Sequence, residues 1–356
     1  RLGGDEFGIV LNNTDQETAH IIAERLQNRL KERRLVWGQT AFNIHSSIGL
    51  VVIDETSEDI HSVLAAADDA CYIAKDEGGR RIRVYKTSDK QFKKRRGEMQ
   101  WVTRLTKALE EDRFELYFQS IQPISPHALA SASDKLEILI RMIDENGGII
   151  PPIDFLPAAE RYNLMPLVDR WVVKTAMQLY NKVDGGSEGR GAKVFTINLS
   201  AESMADEHFL EYIQNQLQST GAAPENFCFE ITETVTISNM TTASHFIHEL
   251  KKIGCTFALD DFGSGFSSFN YLKNMPVDYL KIDGSFVKDM DENSVNSAMV
   301  EAINNLGHVM GIETIAEFVR NNTILEKLTG LGVDYAQGYE IAKPRPLKEL
   351  LDETAE

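Results

Sequence analysis

The sequence predicts an α/β protein. A (β/α)8 TIM-like barrel is expected over residues 111–356, a helical linker over 87–110, and a smaller, partial α/β domain over 1–86. Three observations lead there. From residue 111 onward, short apolar runs alternate with amphipathic helical patterns, giving about eight strand candidates in roughly 245 residues. Nearly every candidate carries a polar residue at or near its C-terminal end. The stretch "KTSDKQFKKRRGEMQ" is polar and basic, and it leads into the helically spaced "WVTRLTKALEED". An open, doubly wound sheet is the alternative architecture.

In chain order, residues 1–85 read as hairpin, helix, strand, helix, strand: "EFGIVL", "QETAHIIAERLQNRLKER", "FNIHSSIGLVVI", "IHSVLAAADDACYIAKDEG" and "RIRVY". A compact domain normally begins before a hairpin turn, so residue 1 is expected to lie inside a domain whose first half precedes it. The barrel strands are expected in "ELYFQSI", "LEILIRMI", "VFTINLS", "FCFEIT", "TFALDD", "YLKIDG", "GIETIAE" and "DYAQGY". Helical stretches such as "ADEHFLEYIQNQLQST" and "MTTASHFIHELKKIG" separate most of them.

Bulk properties narrow the function classes. No apolar run approaches the ~20 residues that span a bilayer, and "RLGGDEF" is not a signal peptide. Cys71, Cys228 and Cys255 lack metal-site spacing and read as reduced, packed thiols. A cytoplasmic protein is expected, with any anchor in the inner membrane lying upstream of residue 1. Residues 1–98 hold 16 basic and 16 acidic residues, so the whole net charge of −17 resides beyond them. That field disfavours a nucleic-acid polymer and suits a site that gathers divalent cations. An acidic surface that confers solubility explains the charge equally well.

The polar strand-end residues are Glu137, Asn198, Glu230, Asp260, Lys281, Glu317 and Gln337. A single one is as readily a satisfied polar cap. Seven in register on consecutive strands ring the C-terminal face of a barrel, where active sites are built. Side-chain alternation puts Glu137 with Arg141, Lys281 with Asp283, and Glu230 with Thr232, while Ile138 points away and Glu233 falls just past its strand. Asp260 and Asp261 are adjacent and would diverge within a strand. Both reach one pocket only if the chain bends there, and Gly263 and Gly265 are expected to allow it. Buried carboxylates need a positive partner, and Lys281 alone is too little for five. The set is all oxygen, with no histidine nearby, which suits Mg²⁺ or Mn²⁺ over zinc. A shared carboxylate points to two ions that polarise a phosphate and activate water. Lys281 would then hold or deprotonate that water, its pKa lowered by the metals.

These residues resemble the EAL family of cyclic di-GMP phosphodiesterases over nearly all of 100–356. The matching segments are "EIL" at Glu137, "NLSA" at Asn198, "EITET" at Glu230 and Glu233, "DDFGSGFSS", "LKID" at Lys281, "AEFV" at Glu317, "QGY" at Gln337 and "YFQSI" at Gln119. The resemblance implies hydrolysis of cyclic di-GMP to linear pGpG. It assigns Glu137, Asn198, Glu230 and Asp260 to a first metal, and Asp260 and Asp261 to a second with Glu317 nearby. It gives Lys281 to the water, Arg141 to a phosphate, and Glu233 to the loop after Asp261. Gln119, Asp283 and Gln337 fall to the substrate. It further implies a homodimer near the 261–272 loop and an antiparallel first barrel strand. The sequence departs from the family at Ile138, Ser120 and Phe318-Val319-Arg320, where alanine, proline and Gly-Val-Glu are usual. Ile138 is expected to be tolerated and Phe318 to crowd Glu317. The rival function is a relay module that binds cyclic di-GMP without cleaving it. Such receptors tend to lose metal ligands, and the set here is complete.

Residues 1–86 resemble the second half of a GGDEF diguanylate cyclase domain, with Gly3, Gly4, Asp5 and Glu6 in the signature and Lys75 in "YIAKDEGGRR" as a phosphate contact. Gly79 stands where arginine is usual. Without the upstream elements this stretch is expected to make no cyclic di-GMP. In an intact parent it would be a cyclase or a GTP-binding regulator. Other motifs carry less. "GSGFSS" lacks the features of a P-loop or dinucleotide fingerprint, and His245 and His248 read as a surface pair. "KKRRGE" reads as a solvated linker face, and Trp101, Phe114, Tyr117 and Phe118 as packing residues.

Overall fold

The structure is a computed structural model. It describes residues 1, 7–32, 34–37, 40–43, 46–54, 57, 60–76, 79–86, 101–130, 134–184, 193–233, 240–263 and 271–355. The chain divides into two compact units, Arg1–Trp101 and Val102–Glu356.

In the first unit, helix Gln16–Glu32 is followed by an antiparallel pair, β1 (Arg34–Trp37) and β2 (Thr40–Asn43). β3 (Ile48–Leu50) pairs in parallel with β4 (Ile82–Val84) across helix Ile60–Asp76. Gly49 permits close packing, since a Cβ there would fall 2.1 Å from the Ala67 carbonyl oxygen. Two expectations are corrected. "FNIHSSIGLVVI" does not run as one strand, because Ser46 and Ser47, between β2 and β3, belong to neither; Ile44 and His45 lie outside the described residues. The polar Ser46-Ser47 step offers no apolar alternation to carry a strand through it. In "EFGIVL", residues 7–11 are not a strand; Glu6 and the signature residues Gly3, Gly4 and Asp5 lie outside the described residues.

Residues 101–110 are helical, as the spacing predicts; residues 87–100 lie outside the described residues. The barrel opens with β5 (Phe114–Pro123), antiparallel to β6 (Asp134–Ile143). β7 (Ile149–Ile150) extends the sheet outside the barrel. Parallel strands then follow: β8 (Lys193–Asn198), β9 (Phe227–Thr232), β10 (Thr256–Phe262), β11 (Tyr279–Ile282), β12 (Glu313–Ala316) and β13 (Tyr335–Ala336). β13 returns antiparallel to β5, and the β5–β6 pairing closes eight strands into a barrel. β14 (Arg345–Pro346) pairs with β5 outside the ring. All eight strand candidates lie on barrel strands, and the open-sheet alternative is excluded by the closure. The inverted β5 hydrogen-bonds correctly because its neighbours on both sides run against it.

The core lies between barrel and helices. Phe195, Phe227, Phe229 and Phe257 on β8 to β10 are fully buried. Tyr180, on helix Met165–Asp184, meets Phe195 edge-on at 5.0 Å and donates its hydroxyl to the Lys193 carbonyl at 2.9 Å. Burial of this kind contributes roughly 1.5–3 kcal/mol per large apolar side chain. Ile138, in register between Phe118 and Ile197, belongs to this apolar layer and not to the mouth.

Candidate active site

The barrel strands and the turn after β12 bring predicted residues together around one ammonium. Lys281, on β11 and wholly buried, places Nζ 2.7 Å from Glu230, 2.9 Å from Glu317, 3.3 Å from Asp260 and 3.9 Å from Glu137. Four strands and the turn after β12 therefore converge on one point. Burial alone would push the Lys281 ammonium down. Attraction to Asp260, Glu137, Glu230 and Glu317 outweighs it and holds the group well above the ordinary lysine range. With four carboxylates around it and no added cation, the amine keeps its proton; the lowering expected of it applies with metals bound.

The carboxylates show the opposite strain. Burial raises Glu230 well above the usual range; Lys281 opposes this while Glu137 and Asp260 add repulsion. Burial likewise pushes Glu317 up to about 8 against the pull of Lys281, with Asp260 and Glu137 adding to the rise. Partial burial of the Asp261 carboxyl, with repulsion from Asp260 and Asp283, lifts it to about 6. One lysine does not satisfy this cluster.

Asp260 and Asp261 do bring their carboxylates together, and the chain bends at this pair, but Asp261 itself carries the bend ahead of the glycines. Asp261 itself adopts φ +56°, and the β10–β11 register shifts between Leu259 and Phe262. A bulge rotates one residue out of alternation. Aspartate tolerates the left-handed region better than most side chains. Gly263, at φ +98°, continues the turn, and Gly265 lies outside the described residues. Glu233, buried just past β9, accepts the Gly263 N–H at 2.9 Å and so steadies this turn.

A divalent cation fits the donors. Asp260, Asp261 and Glu317 each offer an oxygen, all within 4.8 Å of one another. Glu230 Oε1 is buried without a hydrogen-bond partner, and an orphaned carboxylate oxygen calls for a cation. The set is all oxygen, with the Asn198 amide adjoining it: Asn198 donates Nδ2 to Glu137 Oε1 at 2.8 Å, which leaves its amide oxygen for another partner.

The remaining predicted residues divide. Gln119 lies opposite Glu137 across the β5–β6 ladder and donates to the Ala342 carbonyl at 2.8 Å. Gln337 donates to Glu137 Oε2 and, at 3.2 Å, to Gln119 Oε1. Arg141 is half-buried, its guanidinium 5.1 Å from the centre of the Tyr117 ring. Asp283 accepts the Ser285 N–H at 2.7 Å and caps helix Gly284–Val287. Glu137 is not at a strand end: it is the fourth residue of ten in β6, because the β5–β6 hairpin runs on past the barrel rim. Phe318 does not crowd Glu317 inside the cup. It is 68% exposed, at φ +55°, and its ring lies against Gly284, where a Cβ would meet it at 2.1 Å. Lys75 is exposed near the end of helix Ile60–Asp76, in the other unit. His245 and His248 line an open surface depression with Met240, Thr241 and Ser244.

Sequence reasoning missed two supports. Gly338 brings the turn after Gln337 against the backbone of Val319, where a Cβ would lie 2.2 Å from the Val319 oxygen. A glycine followed by an aromatic gave no sign of which backbone it would meet. Asp169 lies far from any strand end in sequence, yet it binds the turn after Asn198.

Comparison with known proteins agrees with this geometry. The EAL domain model matches residues 102–344, and the model for the diguanylate cyclase GGDEF domain matches residues 1–81. The chain is 38% identical over 350 residues to the cyclic di-GMP phosphodiesterase PdeB of Shewanella oneidensis, covering 98% of this chain and 40% of that protein. It is 36% identical over 243 residues to the cyclic di-GMP phosphodiesterase PdeA of Borreliella burgdorferi, covering 68% of this chain and 35% of that protein. The chain thus spans less than half the length of either relative. Among solved structures, the PaMucR phosphodiesterase in complex with c-di-GMP superposes with a TM-score of 0.63 at 29% identity, covering 70% of this chain and 99% of that one. With a closed barrel, one inverted strand and acidic residues gathered around Lys281, this chain belongs to the EAL domain family, preceded by a segment of the GGDEF family.

Proposed function

We propose that the barrel hydrolyses one phosphodiester of cyclic di-GMP to linear pGpG, using two divalent ions, Mg²⁺ or Mn²⁺. The observation that supports this best is the convergence of Glu137, Glu230, Asp260 and Glu317 on Lys281. One lysine leaves that cluster undercompensated, and a pair of cations would offset the excess negative charge. The ions would supply phosphate polarisation and water activation. Glu137, Asn198, Glu230 and Asp260 would hold the first, and Asp260 and Asp261 the second, with Glu317 beside them. Lys281, held as a cation, orients the attacking water and balances charge. Arg141 takes a phosphate oxygen, while Gln119, Asp283 and Gln337 meet the substrate. Glu233 keeps the Asp261 turn in shape. Homodimerisation through the barrel, GTP binding by an intact GGDEF domain and a cytoplasmic location belong to the same reading.

Incubation with cyclic di-GMP and Mg²⁺ or Mn²⁺, followed by chromatography for pGpG, tests the proposal. Metal-dependent pGpG that disappears in Glu137→Ala supports it. Tight cyclic di-GMP binding with no pGpG would replace hydrolysis by a ligand-sensing relay.

A further inference from the structure

Asp169 sits on helix Met165–Asp184, behind the barrel wall, and is only 4% exposed. A carboxyl there has lost its water, and burial raises its pKa. Its hydrogen bonds are directed at one place. Oδ2 accepts the Ser200 N–H at 3.0 Å, the Ser200 hydroxyl at 2.7 Å and the Ser203 hydroxyl at 2.6 Å. Ser200 is in turn the N-cap of helix Ala201–Ala205, accepting the Ser203 N–H.

Ser200 lies two residues beyond Asn198, the last residue of β8. Between them, Leu199 donates its N–H to the Glu230 carbonyl at 2.9 Å. The Asn198 side chain reaches the other way, to Glu137 Oε1. The three-residue turn is therefore held on one side by the neighbouring strand and on the other by Asp169. A short helix could be capped by the Ser200 hydroxyl alone. The extra carboxylate, accepting both the hydroxyl and the backbone N–H of Ser200, fixes the turn's position, not merely its cap.

We propose that Asp169 is a positioning residue for the Asn198 amide. By anchoring Ser200 it sets where β8 ends, and hence where the Asn198 side chain stands beside Glu137. The proposal rests on the reading of Asn198 as a metal ligand. Groups that orient a ligand typically change metal affinity 10–100-fold when removed, because the ligand must otherwise be ordered when the ion binds.

The test measures Mn²⁺ dissociation constants by titration calorimetry, and melting temperatures in EDTA, for wild type, Asp169→Ala, Asp169→Asn, Ser200→Ala and Tyr180→Phe. Tyr180 is on the same helix and buried, but bonds to Lys193, so its variant reports the effect of lost stability alone. We expect Asp169→Ala to weaken Mn²⁺ about tenfold and Ser200→Ala to weaken it in the same direction. Asp169→Asn should recover part of the loss, because its amide oxygen still accepts. Tyr180→Phe should melt earlier with Mn²⁺ affinity unchanged. If Asp169→Ala fails to fold, Ser200→Ala and Asp169→Asn decide the matter by the same readout. Unchanged Mn²⁺ affinity in the Asp169 and Ser200 variants, with lowered melting temperature, would overturn the proposal and leave Asp169 a stabilising cap. Wild-type protein that binds no Mn²⁺ would overturn the metal reading itself, and this proposal with it.

Discussion

Lys281 Nζ donates to Glu230 Oε2 at 2.7 Å with both side chains excluded from solvent. Three further carboxylates lie within 4 Å of the same nitrogen. Breaking a buried pair by removing one partner usually costs about 3–5 kcal/mol, because the remaining charge is stranded. Here the stranded groups can take up protons or bind metal, so Lys281→Met should fold. Its turnover should fall at least ~100-fold, the loss expected for a group that manages a proton or water. Mn²⁺ affinity should stay level or tighten, because a competing cation has gone. Calorimetry beside the pGpG assay checks both; turnover near wild type would remove Lys281 from the reaction.

The raised carboxyls make metal binding dependent on pH. A cation needs deprotonated ligands, so binding to Glu317, at about 8, and Asp261, at about 6, releases protons. Mn²⁺ affinity should therefore climb as pH rises from about 6 to about 8.5. Stability of the metal-free protein should move oppositely. The folded state holds the Glu317 proton up to about 8, against 4.5 for the unreacted side chain. Stability from this group is thus complete at low pH and lost as pH climbs through that window. Melting curves in EDTA across the window check the sign. Glu317→Gln should flatten the fall, and a rise with pH in wild type would contradict the assignment.

The strands and the polar residue on each were legible because a barrel strand is short, apolar and ends at the active face. That is a local pattern. "FCFEIT" spans β9 with no residue to spare. The bulge at Asp261 was not legible, because a left-handed aspartate looks like any other and glycines stand close by to attract the argument. Lys281 was legible at its place, but its distances to the surrounding carboxylates were not. Its pKa depends on how many carboxylates converge from strands far apart in sequence. Asp169 and Gly338 act through contacts with turns that no pattern announces.

Ile138 stands where the family signature has alanine. Its side chain is 2% exposed and packs between neighbouring strands, on the side away from the cup. Ile138→Ala should therefore cost about 2–5 kcal/mol of stability, the usual range for emptying such a site. Turnover per folded molecule should stay within about threefold, well under 1 kcal/mol in barrier. Denaturant melts paired with the pGpG assay at low temperature separate the two effects. A large gain or loss in turnover would mean that residue 138 faces the reacting groups after all.

Gly338 tests the link between two parts of the mouth. The Val319 N–H donates to the Gln337 carbonyl at 3.0 Å, and the Glu340 N–H donates to the Val319 carbonyl at 3.1 Å. These bonds run across the point where a Cβ at 338 would sit 2.2–2.3 Å from Val319 backbone atoms. Backbone cannot swing aside as a side chain can, so Gly338→Ala must push the turn after Gln337 away from the strand end that carries Glu317. Overpacking of this kind typically costs about 1–3 kcal/mol. The displaced Gln337 would also lose its hold on Glu137 and Gln119. We expect lowered stability together with weaker cyclic di-GMP binding, measured by calorimetry in Ca²⁺. That larger, less exacting cation should support binding with little turnover. Gln337→Ala should weaken binding by a similar factor while melting nearer to wild type, because it loosens the same contacts without forcing the backbone apart. Equal binding in wild type and Gly338→Ala would show that the contact with Val319 is mere packing.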